Sequence, residues 1–302
     1  MCGFLKWIKN LFSSDSSSKT DVKPAEVVPT DSPVSRSPGK FALLVGIDNY
    51  NDPKINLMGC VTDVTDLRLV LLDKGFKNKN IRVITDDEAT KNNILNLLEE
   101  MILASIPGDE LVFHFSGHGS QIPDMNGDEV DKLDEVLIPY DFNWNGGYIS
   151  DDAIAERFKK IPDGVIMSMI SDSCHSGTIS KDINSKTKSI TPPAHILQTI
   201  YSVKGIKLNS IGLRTDGGPQ KHILLTGCRS TQTSASAIIN GEWHGVLTYY
   251  FIQSLKNNDN ITWHNSYIYL LDAIGKTNNT QTPQLTGPNY LLTKPVFGGT
   301  DD

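Results

Sequence analysis

From residue 41 onwards the chain alternates short apolar runs with amphipathic stretches. Phe41 to Ile47 is an unbroken apolar run, the pattern of a strand buried on both faces. Asp63 to Gly75 follows with Val64, Leu67, Leu71 and Leu72 at helical spacing. Ile81 to Ile84 reads as a second strand. Thr90 reads as the cap of a helix whose stripe runs through Ile94, Leu97, Leu98, Met101 and Ile102. Leu111 to Phe115, Val136 to Pro139 and Val165 to Ser171 read as further strands, with a helix over Asp152 to Lys160. Later in the chain come a strand at His222 to Gly227, helices at Val246 to Leu255 and Tyr267 to Ile274, and a final strand near Tyr290 to Leu292. Strands alternating with helices predict an α/β fold whose parallel sheet is covered on both faces.

Three segments fall outside this pattern. Residues 1–12 set Phe4, Leu5, Ile8, Leu11 and Phe12 at helical spacing, with Trp7 alongside and Lys6 and Lys9 as basic positions. This is the pattern of a helix lying on a membrane surface or a partner, and equally of a terminus that docks weakly or not at all. Cys2 is a candidate lipid acceptor, whereas Gly3 does not directly follow the initiator Met as N-myristoylation requires. Ser13 to Gly39 carries eight Ser and four Pro in 27 residues, so 1–39 is expected to end in a linker or pro-segment, with folding from Lys40. Residues 178–221, with seven Lys/Arg, two Asp and several turn formers, read as an exposed loop or inter-subdomain linker.

Charge and cysteine usage narrow the class. The net charge is −7, and because residues 1–40 carry six basic and four acidic side chains, the remainder carries −9. That balance argues against nucleic acid as a partner, which needs a basic face. The four cysteines, Cys2, Cys60, Cys174 and Cys228, form no CxxC and no zinc-binding comb, so a reducing compartment is expected. No apolar run is long enough to span a bilayer, and no signal-peptide pattern precedes the folded region. The expected location is cytoplasmic, with membrane association only through residues 1–12.

The chemistry is concentrated in two motifs that follow strand-like runs, Ser116-Gly117-His118-Gly119 and Asp172-Ser173-Cys174-His175-Ser176-Gly177. One supplies an imidazole, the other a thiol, and sites in open α/β sheets lie at the carboxyl ends of strands. A thiol is a strong nucleophile as thiolate, and a nearby imidazole shares its proton or stabilises its charge. Cys174 is therefore the candidate nucleophile, in a turn too polar for core, where backbone N–H groups can face an oxyanion. His118, between two glycines, is the candidate base. His114 has the apolar neighbours of a core histidine, and His175 is adjacent to Cys174, where successive side chains diverge.

Asp124, Asp128, Glu129, Asp131, Asp134 and Glu135 crowd into twelve residues opposed only by Lys132, and Asp151-Asp152 follow. Hard oxygen donors at this density suggest calcium, and a solvated acidic loop is the competing reading. An EF-hand is not expected, because Gly127 stands fourth rather than sixth after Asp124 and no flanking helices are evident.

Together with Gly59-Cys60-Val61-Thr62-Asp63, Asn126-Gly127-Asp128-Glu129, Leu133-Asp134-Glu135, Ser150-Asp151-Asp152, Gln232-Thr233-Ser234-Ala235 and Pro283-Gln284-Leu285, the two motifs resemble those of the metacaspases, caspase-like cysteine peptidases. The resemblance covers about residues 41–295 and implies a caspase-like αβα sandwich with a mostly parallel central sheet. It implies a peptidase domain over 40–295, with a large-subunit region at 40–180, a linker at 181–221 and a small-subunit region at 222–295. His118 and Cys174 match the catalytic dyad, and backbone N–H groups near Gly119 and Cys174 would hold the oxyanion. Cys60, Asp63, Ser116 and Asp172 match the S1 pocket, where two carboxylates would favour Arg or Lys at P1. Asp134, Asp151 and Asp152 match calcium ligands, with Asp182 offset by one residue from the place of a fourth. Ser236 departs from the Asp common in the family, and the N-terminal Ser/Pro segment resembles the pro-domain arrangement of type I members.

The expectation is thus a calcium-stimulated, monomeric cysteine endopeptidase acting on proteins or peptides after Arg or Lys. It would cut itself in the linker, where Lys181, Lys186, Lys188 and Lys204 are candidate P1 residues. The alternatives are a catalytically weak calcium-dependent scaffold on the same fold, and an acyltransferase or thioesterase using the same dyad.

Overall fold

The computed structural model describes residues 36–123, 133–174, 185–194, 196, 220–228, 232, 234–277 and 281–298. Several sequence expectations lie outside the described residues. They are the 1–12 helix, most of the Ser/Pro segment, the acidic residues from Asp124 to Asp131, His175, Lys181, Asp182 and Lys204.

Six strands form the central sheet: β1 (Lys40–Gly46), β2 (Ile81–Thr85), β3 (Glu110–Ser116), β7 (Ile166–Asp172), β9 (His222–Thr226) and β12 (Gln284–Thr286). Their order is β12-β9-β7-β3-β1-β2, all pairs parallel except β12 on β9. The unbroken apolar runs arise because successive side chains of one strand face opposite cores. From β1, Leu43 and Val45 join one cluster with helices α2 (Lys91–Leu103) and α3 (Asp151–Phe158). Ala42 and Leu44 join the other with α1 (Cys60–Asp73), α4 (Val246–Asn257) and α5 (Trp263–Gly275).

Thr90 caps α2 as expected, its side chain accepting from Asn93 N, and Ser150 and Thr262 cap α3 and α5 in the same way. The segment Tyr290 to Leu292 is not a strand. It is one turn of helix, α6 (Asn289–Leu292), entered through Pro288, and the closing strand is the earlier β12. A three-residue apolar run carries no periodicity to separate the two conformations.

Two small antiparallel sheets flank the carboxyl edge. One joins β4 (Gly119–Pro123), β5 (Leu133–Leu137) and β6 (Ile149–Ser150), and the other joins β8 (Ser185–Thr187), β10 (Ala235–Ile239) and β11 (Glu242–Gly245). Within 178–221, the described residues 185–187 form β8 where an exposed loop is expected. Lys188, directly after β8, is 0% exposed.

Candidate active site

The two motifs converge because β3 and β7 are neighbours in parallel register, so Ser116 at the end of one is the partner of Asp172 at the end of the other. Cys60 and Asp63 arrive on the first turn of α1. That helix is anchored at the end of β1 by Asp48, whose carboxylate accepts from Cys60 N at 2.8 Å and Val61 N at 3.3 Å. Gly59 makes the turn into α1 with φ +94°, its α-carbon so close to the Trp243 and His244 backbone that a Cβ would lie 2.7 Å away.

Asp63, Asp172 and Ser116 line a buried box that holds the ammonium of Lys188. Its Nζ lies 2.8 Å from Ser116 Oγ and 3.3 Å from both Asp63 Oδ2 and Asp172 Oδ1. A fully buried lysine is tolerable only with such pairing. Each carboxylate is also held from behind. Asp63 accepts from Ser116 Oγ (2.6 Å) and Gly245 N (2.9 Å). Asp172 accepts from Ser234 Oγ (2.9 Å), Thr248 Oγ1 (2.8 Å) and Thr248 N (3.0 Å).

These environments split the pair. Burial works against ionised Asp172, but Lys188 and the Thr248 and Ser234 bonds outweigh it and hold the carboxyl below its usual value. Asp63 is lifted to about 7, by burial first and by the negative Asp172, with Lys188 and the Ser116 and Gly245 bonds offsetting only part of this. Cys60, the fourth expected member, is wholly buried, and burial pushes its thiol well up, so it lines the box as a neutral group.

The chain around Lys188 lies along the carboxyl edge in extended form. On one side Ser185, Lys186 and Thr187 pair antiparallel with Ala237, Ser236 and Ala235, and Lys188 N donates to Ser234 O at 3.0 Å. On the other, Ile190 N donates to Gly119 O at 3.0 Å and Ser120 Oγ to Ile190 O at 2.7 Å. Between them the Lys188 carbonyl oxygen accepts two N–H groups, from Gly119 at 3.0 Å and Cys174 at 3.1 Å. Those are the two amides expected to hold an oxyanion.

His118 is tightly enclosed. It is 5% exposed, its ring centroid 5.1 Å from that of Tyr50, and its backbone N–H donates to Tyr50 Oη at 2.7 Å. Nε2 donates to Ile55 O at 2.7 Å, which leaves Nδ1 buried with no hydrogen-bond partner among the described residues. Burial holds the imidazole at about 4, the Ile55 bond offsetting only part of that, so the ring is neutral at pH 7. The Cys174 thiol points to Gln232 O at 2.9 Å. His114 is fully buried, its Nε2 donating to Thr248 Oγ1 at 3.1 Å.

A family model described as "Metacaspase, peptidase C14 domain" matches residues 40–182. Metacaspase-1B of Aspergillus fumigatus is 32% identical over 298 residues, covering 85% of this chain and 71% of its own length. The chain belongs to the metacaspase family. Metacaspase-2 of Arabidopsis thaliana is 34% identical over 247 residues, or 79% of this chain and 56% of that one. Among solved structures, a protein from Geobacter sulfurreducens superposes with a TM-score of 0.64 at 24% identity, over 87% of this chain and all of the other. Caspase-1 from Spodoptera frugiperda superposes with a TM-score of 0.58 at 13% identity, over 87% and 90%. Both share the caspase-like fold. This metacaspase is a cysteine endopeptidase on an α/β sandwich with a mixed, mostly parallel sheet.

Of the expected calcium ligands, Asp134 lies on β5, and Asp151 and Asp152 follow β6, the strand paired with it. Asp151 and Asp152 also sit in the first turn of α3, where acids complement the helix dipole. No group of three or more metal-binding side chains occurs among the described residues, and Asp182 lies outside them.

Sequence reasoning missed four contributors to the box and the cleft: Ser234, Gly245, Thr248 and the Ile55 carbonyl. Ser234 stood in a motif noted above. The others act through backbone groups or a helix residue with no chemical signature.

Proposed function

We propose that this metacaspase cleaves polypeptides after Lys or Arg, with Cys174 as nucleophile and His118 as the proton-transfer group, and that calcium raises its activity. One observation carries the reading: residues 185–190 lie in the cleft as a substrate would, with Lys188 in the P1 seat. The ammonium meets the Asp63 and Asp172 carboxylates while the carbonyl oxygen receives the Gly119 and Cys174 amides. A carboxylate at P1 would be repelled in the same buried box.

The chemistry then follows from the chain's own groups. The Cys174 thiol turns from Gln232 O and gives its proton to His118 Nδ1, the ring nitrogen left available by the Ile55 bond, while its sulfur bonds to the P1 carbonyl carbon and the oxygen takes the negative charge between two amide N–H groups. Collapse breaks the C–N bond, and the leaving amine takes that proton from Nδ1, returning the ring to neutral. Water then attacks the thioester, returning the thiol and releasing the carboxylate product. By the same geometry the chain's own scissile bond joins Lys188 to Ser189.

Calcium would be held by Asp134, Asp151 and Asp152, where it would neutralise the acidic edge rather than enter the chemistry. Replacing Asp151 and Asp152 together by Asn is expected to raise the calcium needed for half-maximal activity by about tenfold or more. Chelated protein working as fast as calcium-loaded protein would dismiss the regulatory role.

A pH dependence follows from Asp63. Burial and the negative Asp172 raise its carboxyl above the ordinary Asp range, so it takes a proton as pH falls from the alkaline side and one of the two charges facing P1 is lost. The KM for Lys and Arg peptides should therefore rise as pH falls, with kcat changed less, and Asp63→Asn should flatten the profile. Steady-state kinetics from about pH 5.5 to about 8.5, above the ordinary carboxylate range, reads this directly. The specificity itself is tested with matched peptides bearing Arg, Lys or Asp at P1, and equal turnover of Arg and Asp peptides would overturn it.

A further inference from the structure

Cys228 has no task in peptide hydrolysis, yet it stands beside the candidate nucleophile. It follows the end of β9, and its Sγ lies 3.5 Å from Cys174 Sγ, toward which it donates. Both thiols converge on one carbonyl, Gln232 O, at 2.9 Å from Cys174 and 3.2 Å from Cys228. Both are buried, at 0% and 3% exposure. A cysteine kept only for packing would sit among side chains of the apolar core, whereas this one faces a second sulfur.

We propose that Cys174 and Cys228 are an oxidisable dithiol that closes to a disulfide under hydrogen peroxide, placing the nucleophile in a reversible, protected form. The effect on peptidase activity rests on Cys174 being the nucleophile, while the disulfide itself does not. In the first step the Cys174 thiolate attacks one peroxide oxygen, the O–O bond breaks, and hydroxide leaves. Cys174 is now a sulfenic acid, oxidised by two electrons, and the peroxide is reduced. Cys228 sulfur then attacks the Cys174 sulfur, the S–S bond forms, and the S–O bond breaks with loss of a second hydroxide. The two thiol protons complete two waters, so two thiols and one hydrogen peroxide molecule give one disulfide.

The order of events follows from the contact. The bond to Cys174 and burial hold the Cys228 thiol well above its ordinary range, so the first oxidation falls on Cys174. Closure brings the two sulfurs from 3.5 Å to a bond of about 2.0 Å. Cys174 is covered while Lys188 fills the cleft, so oxidation should be faster once that segment has left.

The test treats the full chain, intact and after self-processing, with hydrogen peroxide, blocks free thiols by alkylation, and maps peptides without reduction. The expected result is a linked peptide joining Cys174 to Cys228, with Cys60 alkylated, and recovery of activity and Cys174 labelling under dithiothreitol. In Cys228→Ser the same treatment should drive Cys174 to sulfinic and sulfonic acids, and recovery under dithiothreitol should fall by about tenfold or more. Absence of the linked peptide from both samples would overturn the proposal, as would equal recovery of the variant and the wild type. A linked peptide with undiminished peptidase activity would uphold the pair and reject Cys174 as nucleophile.

Discussion

Cys174→Ala is expected to abolish turnover of Lys and Arg peptides, a loss on the order of 10⁴ or more in kcat, with the fold intact. The side chain is small and buried, and its amide keeps its bond to the Lys188 carbonyl without it. His118→Ala should come close to the same loss, because Nδ1 is the basic atom assigned to carry the thiol proton to the leaving amine and Ile55 O exists to aim it. The two losses should not add, since they disable one proton-transfer unit. Cys174→Ala turning over peptides at the wild-type rate, in protein checked by intact mass, would refute the assignment of the nucleophile.

Asp172→Asn should lower kcat/KM for Lys and Arg peptides by about 3 kcal/mol, or roughly a hundredfold, the usual cost of leaving one partner of a buried pair uncompensated. Gly245→Ala should do more. A Cβ there would stand 2.2 Å from Asp172 Oδ2, 2.3 Å from Lys188 Nζ and 2.4 Å from Asp63 Oδ2, in the volume where the P1 cation sits. The residue cannot retreat, because its N–H is bonded to Asp63 and its strand is paired through Ser236. Alkylation of Cys174 is the control. Retained labelling with lost cleavage of basic peptides supports the pocket, and unchanged kinetics in Gly245→Ala would contradict it.

Much of this was legible in the chain. The apolar runs ending in Ser-Gly-His-Gly and Asp-Ser-Cys-His located β3 and β7, because a strand buried on both faces announces itself by composition alone. The register of Ser116 against Asp172 could not be read, since pairing is set by the whole sheet. The β10–β11 hairpin did carry a signal, Asn240-Gly241, the dipeptide that supplies two consecutive positive φ values (53° and 90°), and it went unread. The largest miss was β8 and Lys188. A segment of Ser, Lys and Thr reads as solvated linker, and its burial depends on partners far away in sequence: Asp63, Asp172 and the edge of β10. The short turn α6 shows the opposite failure, an apolar triplet whose conformation its neighbours decide. Cys228 looked like any isolated cysteine until the fold set it against Cys174.

If the chain's own Lys188 sits in the P1 seat of a working peptidase, the protein is its own first substrate. Incubating the full chain with calcium and determining the masses and new N-terminus of the products reads this. The expected cut falls between Lys188 and Ser189, giving residues 1–188 and a fragment starting at Ser189, absent from Cys174→Ala and lost at that bond in Lys188→Ala. A protein that turns over Lys and Arg peptides while Lys188–Ser189 stays intact, or that cuts it equally well with Ala at 174, would show that Lys188 is not a P1 residue of this enzyme.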